Sequence, residues 1–209
     1  MSERETYRTV AGRGEAAFEI RGSEFIGHVR PANTVEDAEA FVDEMNEAYD
    51  DATHNVPAYR VRVESGGPGG GYLLREYESD DGEPSGSSGK PALNVLQQRD
   101  VQNVVAVVTR YYGGTKLGVG GLARAYSRGV KEAVDDADVV EVRPQATFDV
   151  TVDYDDSGTV RGILESADCE VEAEYGERVS FAVTTDVDAA ADLRDRLRSA
   201  TSGRVEIEE

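Results

Sequence analysis

The apolar positions along the chain change period several times, and each change marks an element. From Ala16 to Arg30, Phe18, Ile20, Phe25, Ile26 and Val29 alternate loosely around a break at Gly22-Ser23, which predicts a pair of short strands. Thr34 then stands as a helix N-cap with Glu36 and Asp37 in the first turn, where the helix dipole favours anions. Val35, Ala38, Phe41, Val42, Met45 and Tyr49 follow three or four apart, one face of an amphipathic helix. Tyr59, Val61 and Val63 alternate with Arg60 and Arg62, so Val56 to Val63 reads as a strand. The glycine-rich run from Gly66 to Gly71 is expected to be a loop, and Tyr72 to Tyr77 resumes extended structure. Pro91 suits the first turn of a helix carrying Leu93, Val95 and Leu96.

Val101 to Tyr111 is a β-branched run, apolar on both faces, and so a central strand covered on two sides or by a partner. It empties into a glycine-rich stretch, after which Val119, Leu122, Ala123, Tyr126, Val130, Ala133, Val134 and Ala137 form the apolar stripe of the strongest helix in the chain. Val139 to Val142 reads as a closing strand, and Arg143-Pro144 marks a boundary. Beyond it, a strand, helix, two-stranded hairpin, helix and strand succeed one another, the βαββαβ order of a ferredoxin-like sandwich. The expected fold class is α/β (α+β), with one domain over 1–143 and a second over 144–209.

Composition changes this picture in one respect. Forty-two acidic residues against 22 basic ones give the 209-residue chain a net charge of -20, and only Lys90, Lys116 and Lys131 are lysines. Such a chain repels nucleic acid and anionic membranes as a whole, and its lysine-poor acidity reads as halophilic adaptation. Yet Pro84 to Lys131 holds Lys90, Arg99, Arg110, Lys116, Arg124, Arg128 and Lys131 against Asp100 alone. That window faces something anionic, or its cations are paired internally. No apolar run approaches the length of a membrane span, the N-terminus lacks the apolar stretch of a secretory signal, and Cys169 stands alone, so a cytoplasmic protein is expected. Cys169 itself reads as a small buried hydrophobe.

Three segments carry candidate chemistry. Asp80, Asp81 and Glu83, in a stretch without apolar side chains, are clustered oxygens of the kind a divalent cation takes; the bland alternative is a polar loop with Ser87 or Ser88 capping the next helix. Between Arg110 and Gly121, Gly113, Gly114, Gly118, Gly120 and Gly121 let backbone amides approach a ligand ahead of a helix start, with Arg110 and Lys116 adding charge. The spacing is neither a Walker loop nor a dinucleotide fingerprint. His54 is a candidate base or metal ligand, and the one other histidine is His28, so a two-histidine metal site needs both.

Together these strings resemble the IMPACT/YigZ family: Ser23-Glu24-Phe25-Ile26-Gly27; Ala52-Thr53-His54-Asn55 with Ala58-Tyr59-Arg60; Asp80 through Gly86 with Gly89-Lys90-Pro91; Val108 through Gly114 with Lys116-Leu117-Gly118, Gly120-Gly121-Leu122 and Arg124-Ala125-Tyr126. The resemblance implies a first domain similar to the second domain of ribosomal protein S-five. It also implies a ferredoxin-like second domain similar to the fifth domain of elongation factor G. Eukaryotic relatives regulate translation in a stress-kinase pathway through an extra N-terminal domain that this chain is expected to lack, so that role is not expected to transfer. Asn55 stands where many bacterial members show a second histidine, and Tyr112 where they usually show phenylalanine.

The leading expectation is a regulator of translation that binds RNA or the ribosome, with Lys90, Arg110, Lys116, Arg124 and Arg128 and the glycines at phosphates. Tyr111, Tyr112 and Tyr126 are possible stacking partners, Tyr126 more simply a core residue. The rivals are a magnesium-dependent enzyme using Asp80, Asp81, Glu83 and His54 on a phosphorylated or nucleotide substrate, and a protein-interaction module using the second domain's strand edge or sheet face. No resident cofactor is implied.

Overall fold

The structure is a computed structural model and describes residues 6–64 and 72–208; the glycine-rich run at 66–71 lies outside them. The chain divides into two compact units, one of Tyr7–Val142 and one carrying the residues from Arg143 onward.

In the first unit, β1 (Tyr7–Val10) is followed by β2 (Gly14–Ile20) and β3 (Ser23–Pro31), a hairpin turning on Arg21 and Gly22, both at positive φ. Helix α1 (Val35–Ala48) opens with a capping box, Thr34 accepting from the Asp37 amide while the Asp37 carboxylate accepts from the Thr34 amide. Then come β4 (His54–Glu64), β5 (Tyr72–Glu78), α2 (Gly89–Gln98), β6 (Val104–Tyr111), α3 (Val119–Asp136) and β7 (Val139–Val142). The main sheet is antiparallel, in the order β2-β3-β6-β4-β5. Strand β6 lies at its centre, which is why its residues are apolar on both sides. Val104, Ala106 and Val108 join the core shared with α2 and α3, while Val105 and Val107 meet Phe41 and Met45 of α1 on the opposite face. The closing strand β7 pairs not with this sheet but with β1, a four-residue strand too short to announce itself in the sequence.

The second unit runs β8 (Gln145–Val152), α4 (Tyr154–Glu165), β9 (Cys169–Tyr175), β10 (Val179–Asp186), α5 (Val187–Ala200) and β11 (Glu206–Glu208). Its antiparallel sheet has the order β11-β8-β10-β9, the ferredoxin-like arrangement that βαββαβ produces when each helix crosses over a strand. Phe148, Val150, Val179, Phe181 and Val183 pack beneath Val160, Leu164, Leu193 and Leu197 of the helices. The fold class is α+β, as the alternation of patterns predicts. Cys169 is half-buried, its Sγ donating to the Leu164 carbonyl at 3.3 Å, and burial pushes its thiol pKa up, with Asp168 adding to the effect. Among the described residues, no helix is long and apolar enough to cross a membrane.

Candidate functional site

At the C-terminal end of β6 the starts of β3 and β4 come alongside, bringing Ser23, His54 and Arg110 together. The glycine-rich stretch leaves β6 here because two backbones nearly touch: a Cβ on Gly113 would collide with the Gly22 carbonyl. Into this end dips the loop of residues 79–88, delivering Glu83 to the interior. Arg110 Nη1 donates to Glu83 Oε1 at 2.5 Å, and the Tyr126 hydroxyl donates to the same oxygen at 2.8 Å. Arg110 Nη2 donates to Ser23 Oγ at 3.3 Å, and its guanidinium lies over Phe25, 5.4 Å from the ring centre. Burial, reinforced by the Glu83 charge and hydrogen bond, pushes the Tyr126 phenol pKa far up, so it stays a donor.

His54 Nδ1 lies 2.6 Å from the Asp81 carbonyl, which can only accept, so Nδ1 carries the proton. Its Nε2 is left facing Glu83 Oε2 at 3.9 Å. His28 is elsewhere: it pairs with Val107 on the α1 side of the sheet and its ring packs on Tyr49, whereas His54 pairs with Arg110. The two histidines therefore share no site.

The three loop carboxylates do not converge on a common point but are drawn to three different partners. Asp80 Oδ1 accepts from the Ser88 and Gly89 amides, each at 2.9 Å, and Oδ2 from the Gly86 amide at 2.6 Å. Burial raises its carboxyl pKa, but these amides together outweigh it and hold the group below the ordinary carboxylate value. Asp80 thus caps α2 in place of Ser87 or Ser88, whose side chains make no capping bond. Asp81 Oδ2 accepts from the Asn55 amide at 2.6 Å, and Glu83 is spent on Arg110 and Tyr126. Among the described residues, no cluster of three or more His, Cys, Asp or Glu side chains is arranged to hold a metal ion. Asp80, Asp81, Glu83 and His54 form no such cluster.

Arg110 also departs from expectation. It is 4% exposed and neutralised by Glu83, so it offers no charge to a phosphate in solvent. The remaining cations of the basic window are on the surface. Lys90, Lys116, Arg124, Arg128 and Lys131 are exposed, as are Gly113, Gly114, Gly118 and Gly120, with Gly121 half-buried. Arg128 is held by Glu132 at 2.7 Å and lies over Phe18, and Arg99 is held by Asp135 at 2.5 Å. Lys90, Lys116, Arg124 and Lys131 have no carboxylate partner among the described residues. A groove of about 950 Å³ between α2 and α3 brings Arg99, Arg124, Arg128 and Lys131 together, against Glu132 and Asp135. Arg99 and Lys131 belong to the basic window but to none of its motifs; Lys131 could be placed by spacing, one helical turn beyond Arg128 as Arg128 is beyond Arg124, whereas Arg99 closes α2.

Of the three tyrosines, Tyr126 is fully buried, the Tyr111 hydroxyl donates to Asp51 at 2.6 Å, and Tyr112 is 44% exposed. The bond to Asp51 is the main cause that pushes the Tyr111 phenol pKa up to about 12. Ser23 was hidden in a turn, and its hydroxyl accepts from both Arg110 and the Gly113 amide at 3.1 Å.

An antiparallel sheet between helices, a buried arginine–glutamate–tyrosine cluster at the end of its central strand, and a ferredoxin-like unit after it in the chain define a two-unit α+β class. The chain belongs to the IMPACT family. The Impact N-terminal domain matches residues 21–134, more than half of the chain, and a domain of unknown function, DUF1949, matches residues 150–204. The IMPACT family member YvyE of Bacillus subtilis is 38% identical over 149 residues, 71% of this chain and 65% of that protein. The IMPACT family member YigZ of Escherichia coli is 38% identical over 136 residues, 65% of this chain and 64% of that protein. The matches thus span just under two thirds of these relatives' length. A solved structure described as a hypothetical protein superposes with a TM-score of 0.66 at 29% identity, covering 98% of this chain and 97% of that one.

Proposed function

We propose that the protein acts on translation by binding RNA or the ribosome through the groove between α2 and α3. The observation that carries this reading is the groove itself: four cations line it in a chain of net charge -20, and two of them, Arg124 and Lys131, have no carboxylate partner among the described residues. A surface that gathers unpaired positive charge against such a background is an electrostatic footprint for phosphate. Exposed Lys90 and Lys116, at the start of α2 and ahead of α3, extend it. The kinship with the IMPACT family supports a role in translation. The buried cluster at the end of β6 serves this surface as a scaffold, fixing the glycine-rich loop and the first turns of α3.

The test is binding of the full chain to single-stranded RNA and to ribosomes across a salt series. The double variant Arg124→Glu, Lys131→Glu is expected to weaken both and to flatten the dependence of log affinity on log salt by about 0.7 per lost phosphate contact. Unchanged affinity and slope would remove the groove from the proposal.

A further inference from the structure

The outer edge of the ferredoxin-like sheet is built to accept a strand. Strand β9 is the last in the order β11-β8-β10-β9, and its seven residues pair with β10 in unbroken register from Cys169 to Tyr175. It carries no proline, no lysine and no bulge, and the charge that guards it is confined to the glutamates of one face. Every residue after Cys169 is exposed, Val171 to 38% and Tyr175 to 61%. The two faces of the strand differ sharply. On the helix side, Val171 and Ala173 line a groove of about 410 Å³ together with Leu164 and Phe181, left open between α4 and β9 with Arg161 and Glu165 of α4 also lining it. On the other side Glu170, Glu172 and Glu174 stand in a row, opposite Thr184, Ala182 and Ser180, with no cation paired to them among the described residues.

We propose that β9 is a docking edge for an extended segment of another polypeptide in which aliphatic and basic side chains alternate. A strand added to β9 sends alternate side chains to opposite faces. One set therefore enters the groove beside α4, against Val171, Ala173, Leu164 and Phe181, and the other lies alongside Glu170, Glu172 and Glu174. Main-chain hydrogen bonds hold the segment, and the two faces select its pattern. The same glutamates argue against a second copy of this chain as the occupant. Pairing β9 with another β9 brings carboxylates beside carboxylates, a like-charge arrangement that destabilises cross-strand pairs. The proposal rests on residues of the second unit alone and the RNA groove on residues of the first, so either can fail alone.

The test uses the full chain and labelled peptides of about ten residues: alternating valine–lysine, alternating valine–glutamate, and a block peptide with the lysines and valines separated. The alternating valine–lysine peptide is expected to bind about tenfold more tightly than the block peptide of identical charge, and to slow amide exchange within β9. Glu170→Lys with Glu172→Lys is expected to abolish that preference, while Asp188→Lys with Asp192→Lys, the same charge change on α5, leaves it intact. Equal binding of the alternating and block peptides, unprotected β9 amides, or an equal effect of the α5 variant would each overturn the proposal.

Discussion

Arg110 and Glu83 are 4% and 9% exposed, so folding withdraws two opposite charges from water at one point. That withdrawal costs several kcal/mol per ion, and only good geometry offsets it. Both guanidinium Nη atoms are used here, while the buried Nε of Arg110 has no hydrogen-bond partner among the described residues. Glu83 Oε1 receives two donors, Arg110 and Tyr126, and the guanidinium faces the ring of Phe25 as well as Ser23. The pair costs most when it is halved. Glu83→Ala strands a buried guanidinium and is expected to lower stability by about 3–5 kcal/mol in urea unfolding. The double variant Glu83→Leu, Arg110→Met removes both charges and is expected to recover most of that loss. A double variant no more stable than Glu83→Ala would show that packing of this loop, not the unpaired charge, sets the cost.

Gly27 of β3 and Gly129 of α3 set how closely the helix approaches the sheet. A Cβ on Gly27 would run into the Gly129 carbonyl, and one on Gly129 would meet the Val108 methyls at 3.1 and 3.2 Å. Gly27→Ala is therefore expected to lift α3 and cost at least about 1–3 kcal/mol, the range for overpacking, as a lowered denaturation midpoint with unchanged m-value. A loss below that range would mean the helix slides to make room. What the sequence revealed at this scale was whatever obeyed a local rule. The period of β4, the two-faced apolar run of β6 and the Thr34 cap are all written within one turn or one strand. Two features escaped because they are written across distance. Asp80 caps α2 from nine residues upstream of its first residue, and the burial of Arg110 follows from a partner 27 residues away. A charged residue at the end of a strand looks like surface until the loop that covers it is known. Strand β1 escaped for another reason: it has four residues and a partner 135 residues later, pairing Tyr7 with Val142.

At the scale of the whole molecule, charge acts in two opposing ways. A net charge of -20 over 209 residues makes the folded chain repel itself, and most of the carboxylates sit outside any ion pair among the described residues. Salt screens that repulsion, the Debye length falling from about 10 Å at 0.1 M to about 3 Å at 1 M. The melting temperature of the isolated protein is therefore expected to rise with sodium chloride across this range. The α2–α3 groove responds in the opposite sense, because displacing counterions from phosphate becomes less favourable as salt rises, so RNA affinity is expected to fall over the same series. Charge substitutions separate the two effects. Arg124→Glu with Lys131→Glu steepens the gain in stability with salt by making the chain more acidic, while it flattens the loss of affinity. Glu170→Lys with Glu172→Lys relieves repulsion and raises the melting temperature at low salt, leaving the RNA curve in place. A melting temperature flat or falling with salt would mean that the acidic residues do not repel one another enough to matter. An RNA affinity that fell equally in the groove variant and the parent would mean that phosphate contacts lie elsewhere on the surface.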